Sequence, residues 1–366
     1  MEMTQKTKVK LMVFTPSLEC GGSEKFVSVL CNNINTDLFS VILVVLNNSN
    51  PFYKIRNPAV TVINLEKKAV RFSLLKLRSA VRQHQPDILF TTANHLNLYF
   101  AIFRHFFPKP VKFVARESSI VSINNTRTRF PSLYSRLIKK YYSRFDIIIC
   151  QSAYMRQDLM TNYAIPREKT VVIHNAIERT SPHPAVYSPY REGKVCKFVT
   201  VARLSQEKGI ERLIHAAGLL SIPFQFYIIG KGVKKGYLQK LVNELRLTEK
   251  IFLPGEKEAP FSGMEDADLF LMGSYYEGFP NVLLEAGELG LPVVAFDVPG
   301  GIPEIISSEN GILVDDNDII GFASAIKRAV AMNFDRQQLV EDTRRRFSVS
   351  AAMKAIEDIF LRISRS

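Results

Sequence analysis

Short apolar runs separated by helix-period patterns recur from Val9 to Val314, and this alternation constrains the fold more than any single residue does. In the first half the strand candidates are Val9–Phe14, Val41–Leu46, Val60–Asn64, Asp87–Thr91, Val111–Ala115, Asp146–Cys150 and Thr170–Ile173. In the second half they are Cys196–Val201, Phe224–Ile229, Lys250–Leu253, Asp268–Met272, Pro292–Phe296 and Gly311–Val314. Strands that alternate with helices form parallel sheets, because each parallel connection needs a crossover long enough to hold a helix. The predicted class is α/β, with two similar α/β/α sheets in tandem.

A chain of 366 residues is too long for one ordinary core, so two domains are expected. Thr180 to Gly193 reads T-S-P-H-P-A-V-Y-S-P-Y-R-E-G, a proline-rich linker that separates a domain at 1–182 from one at 190–348. The net charge of +13 divides unevenly between them. Residues 1–182 carry 26 Lys and Arg against 11 Asp and Glu, whereas residues 183–366 carry 22 against 24. A one-sided excess implies an anionic partner for the first domain only. A nucleic-acid binder would share that charge, but the excess sits on amphipathic helices and lacks stacking motifs, so nucleic acid is not the expected partner.

No apolar stretch approaches the ~20 residues of a membrane helix. The longest, Leu96 to Phe107, contains Asn97, Arg104 and His105 and suits a core helix. Met1 to Lys10 is polar and runs straight into the first strand, which predicts no secretory signal. Cys20, Cys31, Cys150 and Cys196 lie far apart without metal-ligand spacing. They are expected to be reduced, in an intracellular protein.

The chemistry concentrates in Gly273 to Pro292, G-S-Y-Y-E-G-F-P-N-V-L-L-E-A-G-E-L-G-L-P. The run Asp268–Met272 empties into a loop holding Glu277 and Gly278, and Pro280 suits the first turn of a helix running to about Leu289. A strand that delivers its C-terminal end to a helix N-terminus presents backbone N–H groups to an anion. Carboxylates such as Glu277 and Glu285 make poor phosphate contacts there but good acceptors for sugar hydroxyls. Glutamates near a helix start also suit the helix dipole without any ligand. Upstream, A-R-L-S-Q-E-K-G places Arg203 and Lys208 around a turn before a helix near Gly209, where two fixed cations suit a diphosphate. Gly230 in I-I-G-K-G marks another turn at that sheet edge, and Asp297 to Gly301 is predicted to leave room for a ligand.

In the first half, Gly21 and Gly22 precede a helix near Ser23, without the three glycines of a dinucleotide fingerprint. Arg116 and Glu117 close the fifth strand; they pair with each other or serve an acceptor there. Arg71 to His84 is a basic helix pattern. Pro131 to Phe145 is clearer: Leu133, Tyr134, Leu137, Ile138, Tyr141, Tyr142 and Phe145 share one side, with Arg136, Lys139, Lys140 and Arg144 on the other. That pattern suits a solvated face over a core equally with an anionic membrane surface.

With these motifs in order along nearly the whole chain, the sequence resembles the retaining GT-B glycosyltransferases of family four. The resemblance rests on G-G-S-E-K, A-R-L-S-Q-E-K-G, I-I-G-K-G and E-G-F-P-N-V-L-L-E. It implies two Rossmann-like domains facing a cleft, with the last helix, within 349–366, crossing back onto the acceptor-binding N-terminal domain. It implies a nucleotide-sugar donor, UDP- in preference to GDP-, as a substrate without a metal. Arg203 and Lys208 would hold its diphosphate, Glu285 the ribose and Glu277 the donor sugar, with Gly230, Gly278, Phe279, Asn281 and Val282 nearby. Gly21 and Gly22 would approach the phosphates. Relatives often carry a histidine near the reacting sugar; at the comparable loop this chain has Arg116 and Glu117. The implied acceptor is a lipid-linked or polysaccharide glycan at the cytoplasmic face of a membrane, in lipopolysaccharide or related synthesis. The competing expectation is a non-catalytic GT-B subunit that binds the nucleotide-sugar without turnover.

Overall fold

The structure, a computed structural model, describes residues 8–19, 21–67, 69–108, 110–178, 193–264 and 266–365. Cys20 and nearly all of the linker expected at Thr180 to Gly193 lie outside the described residues. The chain forms two compact units, Met1–Asn175 with Val349–Ser366, and Ala176–Ser348.

Among its described residues the first unit holds seven strands: β1 (Val9–Thr15), β2 (Phe39–Val45), β3 (Thr61–Asn64), β4 (Ile88–Thr91), β5 (Lys112–Arg116), β6 (Ile147–Cys150) and β7 (Thr170–Val172). All pair in parallel, in the order β3-β2-β1-β4-β5-β6-β7. The strands are apolar on both faces because helices cover both. Those helices are α1 (Gly22–Asn33), α2 (Leu74–His84), α3 (Asn94–Phe103), α4 (Val121–Thr126), α5 (Pro131–Tyr141) and α6 (Ala153–Tyr163). The direction of travel across the sheet reverses between β1 and β4, the switch point at which open α/β sheets bind ligands.

The second unit repeats the plan with β8 (Cys196–Val201), β9 (Phe224–Ile229), β10 (Ile251–Gly255), β11 (Leu269–Met272), β12 (Val293–Asp297) and β13 (Gly311–Asp315). Its parallel order is β10-β9-β8-β11-β12-β13, so its switch point lies between β8 and β11. Its helices are α7 (Ile210–Gly218), α8 (Lys235–Glu244), α9 (Asn281–Glu288), α10 (Ile319–Ala331) and α11 (Arg336–Arg346). Helix α9 is shorter than expected: Pro280, with ψ 108, stays extended as the residue before the helix rather than entering its first turn.

The last helix, α12 (Val349–Ser364), belongs to the first unit. Met353, Ile356, Ile359, Phe360 and Ile363 recur at helical spacing and enter that unit's core. The Phe360 ring meets Phe39 and Phe90 edge-on, at centroid distances of 6.1 and 5.6 Å. Among the described residues no helix is long and apolar enough to cross a membrane.

Candidate active site

The residues singled out in the second half converge on one sheet edge. Strand β8 ends in Ala202-Arg203-Leu204, and the short 3-10 turn Gln206–Lys208 follows before Gly209 opens α7. Gly209 has φ 54, and a Cβ there would lie 2.0 Å from the Gly273 carbonyl oxygen, so this turn and the loop after β11 touch backbone to backbone. That closeness brings Lys208 to Glu277: Nζ lies 2.6 Å from Oε1. Ser274 Oγ donates to the same oxygen at 2.7 Å. Arg203 is more peripheral, its side chain 77% exposed, with Nη2 3.4 Å from Glu207 Oε1.

Below this pair lies a small pocket walled by Thr200, Ala202, Met272, Gly273 and Val282, with Lys208 and Glu277 at its rim. Asn281 and Val282 form the first turn of α9, whose N-cap Pro280 contributes no side-chain cap. An N-terminus of that kind directs backbone N–H groups and positive dipole toward an anion. Phe279 is buried behind it, Gly278 precedes it, and Glu285 follows within the helix. Gly230 follows β9, beside Ala202. All these second-half residues therefore share the switch-point end of one sheet.

The loop from Asp297 to Gly301 does not offer the room expected of it. The Glu277 N–H donates to the Pro299 carbonyl at 3.0 Å, and the Gly301 N–H donates to the Glu277 carbonyl at 3.3 Å. Gly300 has φ 128, and a Cβ there would stand 1.5 Å from the Glu277 oxygen. The loop acts instead as a backbone clamp that fixes Glu277.

In the first unit, Gly21 is the N-cap of α1 and Gly22 its first residue, again without a side-chain cap. Arg116 and Glu117 are 1% and 0% exposed, so they are not surface contacts; their charges attract each other, but their side chains take different hydrogen-bond partners. Successive strand residues point to opposite faces. Arg116 turns to α1, with its guanidinium 3.7 Å from the Phe26 ring centroid and a hydrogen bond to Asn175 Oδ1. Glu117 turns to α3, where Asn97 Nδ2 donates to Oε1 at 2.8 Å. Burial pushes the Glu117 carboxyl up to about 7, against the pull of Asn97 and Tyr142. Burial likewise lowers Arg116 to about 9.

On α5, Arg136, Lys139 and Lys140 are exposed. Arg144 is not part of that basic face: its Nη1 donates to the Ala101 and Ile102 carbonyls at 3.2 and 3.0 Å, at the end of α3. Carbonyls left over at a helix C-terminus attract such a cation. Conversely Leu133, expected on the buried side, is 51% exposed.

Residues 190–346 match the sequence profile described as glycosyl transferases group 1, and residues 20–180 match that of glycosyltransferase family 4. The chain belongs to the group 1 glycosyltransferases. It is 29% identical over 322 residues to the Campylobacter jejuni N-acetylgalactosamine-N,N'-diacetylbacillosaminyl-diphospho-undecaprenol 4-alpha-N-acetylgalactosaminyltransferase, covering 84% of this chain and 87% of that protein. The lipopolysaccharide outer core galactosyltransferase WaaB, in its apo form, superposes with TM-score 0.78 at 17% identity, covering 96% of this chain and 99% of that one. HepE from Anabaena, in complex with UDP-glucose, gives TM-score 0.75 at 18% identity, covering 96% and 98%. At such identities the two structures establish a shared GT-B fold.

In this glycosyltransferase, sequence reasoning missed two supporting residues. Arg212 is buried, donates through Nε to the Gly273 carbonyl at 2.8 Å and through Nη2 to the Ser274 carbonyl at 2.5 Å, and so fixes the loop that carries Glu277. The signal was an arginine on the apolar face of α7 among Ile210, Leu213 and Ile214. Ser274 gave no signal, because only the fold brings its hydroxyl to Glu277.

Proposed function

We propose that this glycosyltransferase moves a sugar, with retention of configuration, from a UDP-sugar to a lipid-linked glycan at the cytoplasmic face of a membrane. The observation that carries this reading is Lys208 joined to Glu277 beside the start of α9. Lys208, Arg203 and the α9 N-terminus neutralise the departing diphosphate, which in this reading needs no metal. Glu277 faces the donor sugar and Glu285 the ribose, each as a hydroxyl acceptor.

The acceptor class is supported by the names of relatives: the Campylobacter jejuni protein acts on a diphospho-undecaprenol glycan, and others are assigned to colanic acid or lipopolysaccharide core synthesis. HepE supports UDP, since its complexes contain UDP and UDP-glucose. Membrane attachment is supported by exposed Phe130 and Leu133 beside Arg136, Lys139 and Lys140. Such a mixed face suits the boundary of an anionic bilayer.

The test is a thermal-shift screen of UDP- and GDP-sugars, followed by transfer from the stabilising donor to polyprenyl-diphosphate-linked acceptors, with Glu277→Ala as the control. Stabilisation by a UDP-sugar and transfer lost in the variant are expected. A donor that binds without turnover would instead mark a non-catalytic subunit.

A further inference from the structure

Both cations at the site are held by carboxylates, and both carboxylates have anchors of their own. Glu207 accepts from Ser205 Oγ at 2.7 Å, and its carbonyl accepts from the Tyr275 N–H at 2.9 Å. Its side chain is only 14% exposed, while that of its partner Arg203 is 77% exposed. Glu277 is fixed by the Ser274 hydroxyl and by the backbone clamp at Pro299 and Gly301. Lys208, in contrast, reaches it through a flexible four-carbon stem. In each pair the anion is the rigid member and the cation the movable one.

We propose that Glu207 and Glu277 stand in for the donor diphosphate, and that the diphosphate binds by exchanging partners with them. The phosphates take Arg203 and Lys208. Glu277, still seated by Ser274, then turns its lone pairs from an ammonium to the hydroxyls of the sugar. The exchange deepens the proposed function and rests on it. It also orders recognition: until the diphosphate is seated, the sugar meets a carboxylate neutralised by Lys208. Glu207 thereby becomes a residue that sets donor affinity without touching the sugar, because it competes with phosphate for Arg203.

The two pairs differ in weight. An ion pair with an exposed arginine is worth little, whereas a partly enclosed pair held at 2.6 Å is worth more. Calorimetric titration of the full chain with UDP, and separately with inorganic pyrophosphate, tests the exchange in Glu207→Gln and Glu277→Gln. Glutamine keeps the shape and the hydroxyl contacts but removes the competing charge. Glu277→Gln is expected to bind both ligands about tenfold tighter and Glu207→Gln about threefold tighter.

Using two ligands separates this proposal from the reading it rests on. UDP bound equally or more weakly by both variants overturns the exchange while leaving the UDP site in place. Pyrophosphate tightened in the variants, with no UDP binding in any protein, supports the exchange and removes the nucleotide. No binding of either ligand by any of the proteins overturns both. Unchanged far-ultraviolet dichroism in Glu207→Gln, which lies outside the core, keeps the comparison valid where Glu277→Gln fails to fold.

Discussion

At residue scale, the most exacting environment is that of Glu117. A carboxyl at 0% exposure keeps its proton to about 7, because the cost of burying its charged form outweighs the pull of Asn97, Tyr142 and Arg116. The sign of the consequence is fixed. Between the ordinary value of 4.5 and about 7 the folded chain holds a proton that the unfolded chain has lost, so stability falls as pH rises through that window. The loss is on the order of 3 kcal/mol. Urea unfolding at pH 5 and pH 8 should therefore show a larger fall for the wild type than for Glu117→Gln, which carries no titrating group there. Parallel falls would assign the pH dependence elsewhere. The pair Arg116 and Glu117 also shows where sequence runs out: alternation along β5 tells that neighbours face opposite ways, but only the fold tells that α1 and α3 cover both. Lys208 and Glu277 were legible as a cation and an acid near helix starts, and their salt bridge was not, because it depends on how closely Gly209 approaches Gly273.

At the scale of elements, every strand among the described residues was legible, since a parallel sheet writes itself as buried apolar runs with crossovers between them. Helix ends and loops were less so. Pro280 carries the fixed φ that suits a helix start, yet the extended ψ that leads from Phe279 into α9 leaves it outside. The loop at Asp297 to Gly301 looked roomy because glycines often border ligands, and here the glycine admits the Glu277 backbone of the same chain instead. Gly300→Ala tests that clamp. Its φ of 128 is strained for alanine, and the added methyl meets the Glu277 oxygen, so the variant should lose more than about 1 kcal/mol. Donor binding should weaken with it, read by the same thermal shift. A variant as stable as wild type, with full donor affinity, would show that Glu277 does not depend on the clamp. Helix α9 is similarly fixed from behind, where buried Glu288 receives both Nε and Nη2 of Arg344 on α11.

At the scale of the whole molecule, the division of charge between the halves has a structural counterpart: the basic excess sits on the first unit and the diphosphate-compatible cations on the second. On α5 the exposed Arg136, Lys139 and Lys140 account for part of that excess, each contributing about 1 kcal/mol toward an anionic surface. Reversing all three to glutamate should weaken sedimentation with phosphatidylglycerol vesicles by about a hundredfold or more. Sedimentation unchanged by the reversal would remove the membrane from the account.

The central claim concerns the other unit, that Lys208, Arg203 and the start of α9 grip a diphosphate while Glu277 and Glu285 take the sugars at its ends. A crystal structure of the protein with UDP measures this directly. The account predicts the diphosphate within hydrogen-bonding distance of Lys208 Nζ and the α9 N-terminus, with the ribose at Glu285. UDP bound remote from Lys208 and Glu285 would contradict it.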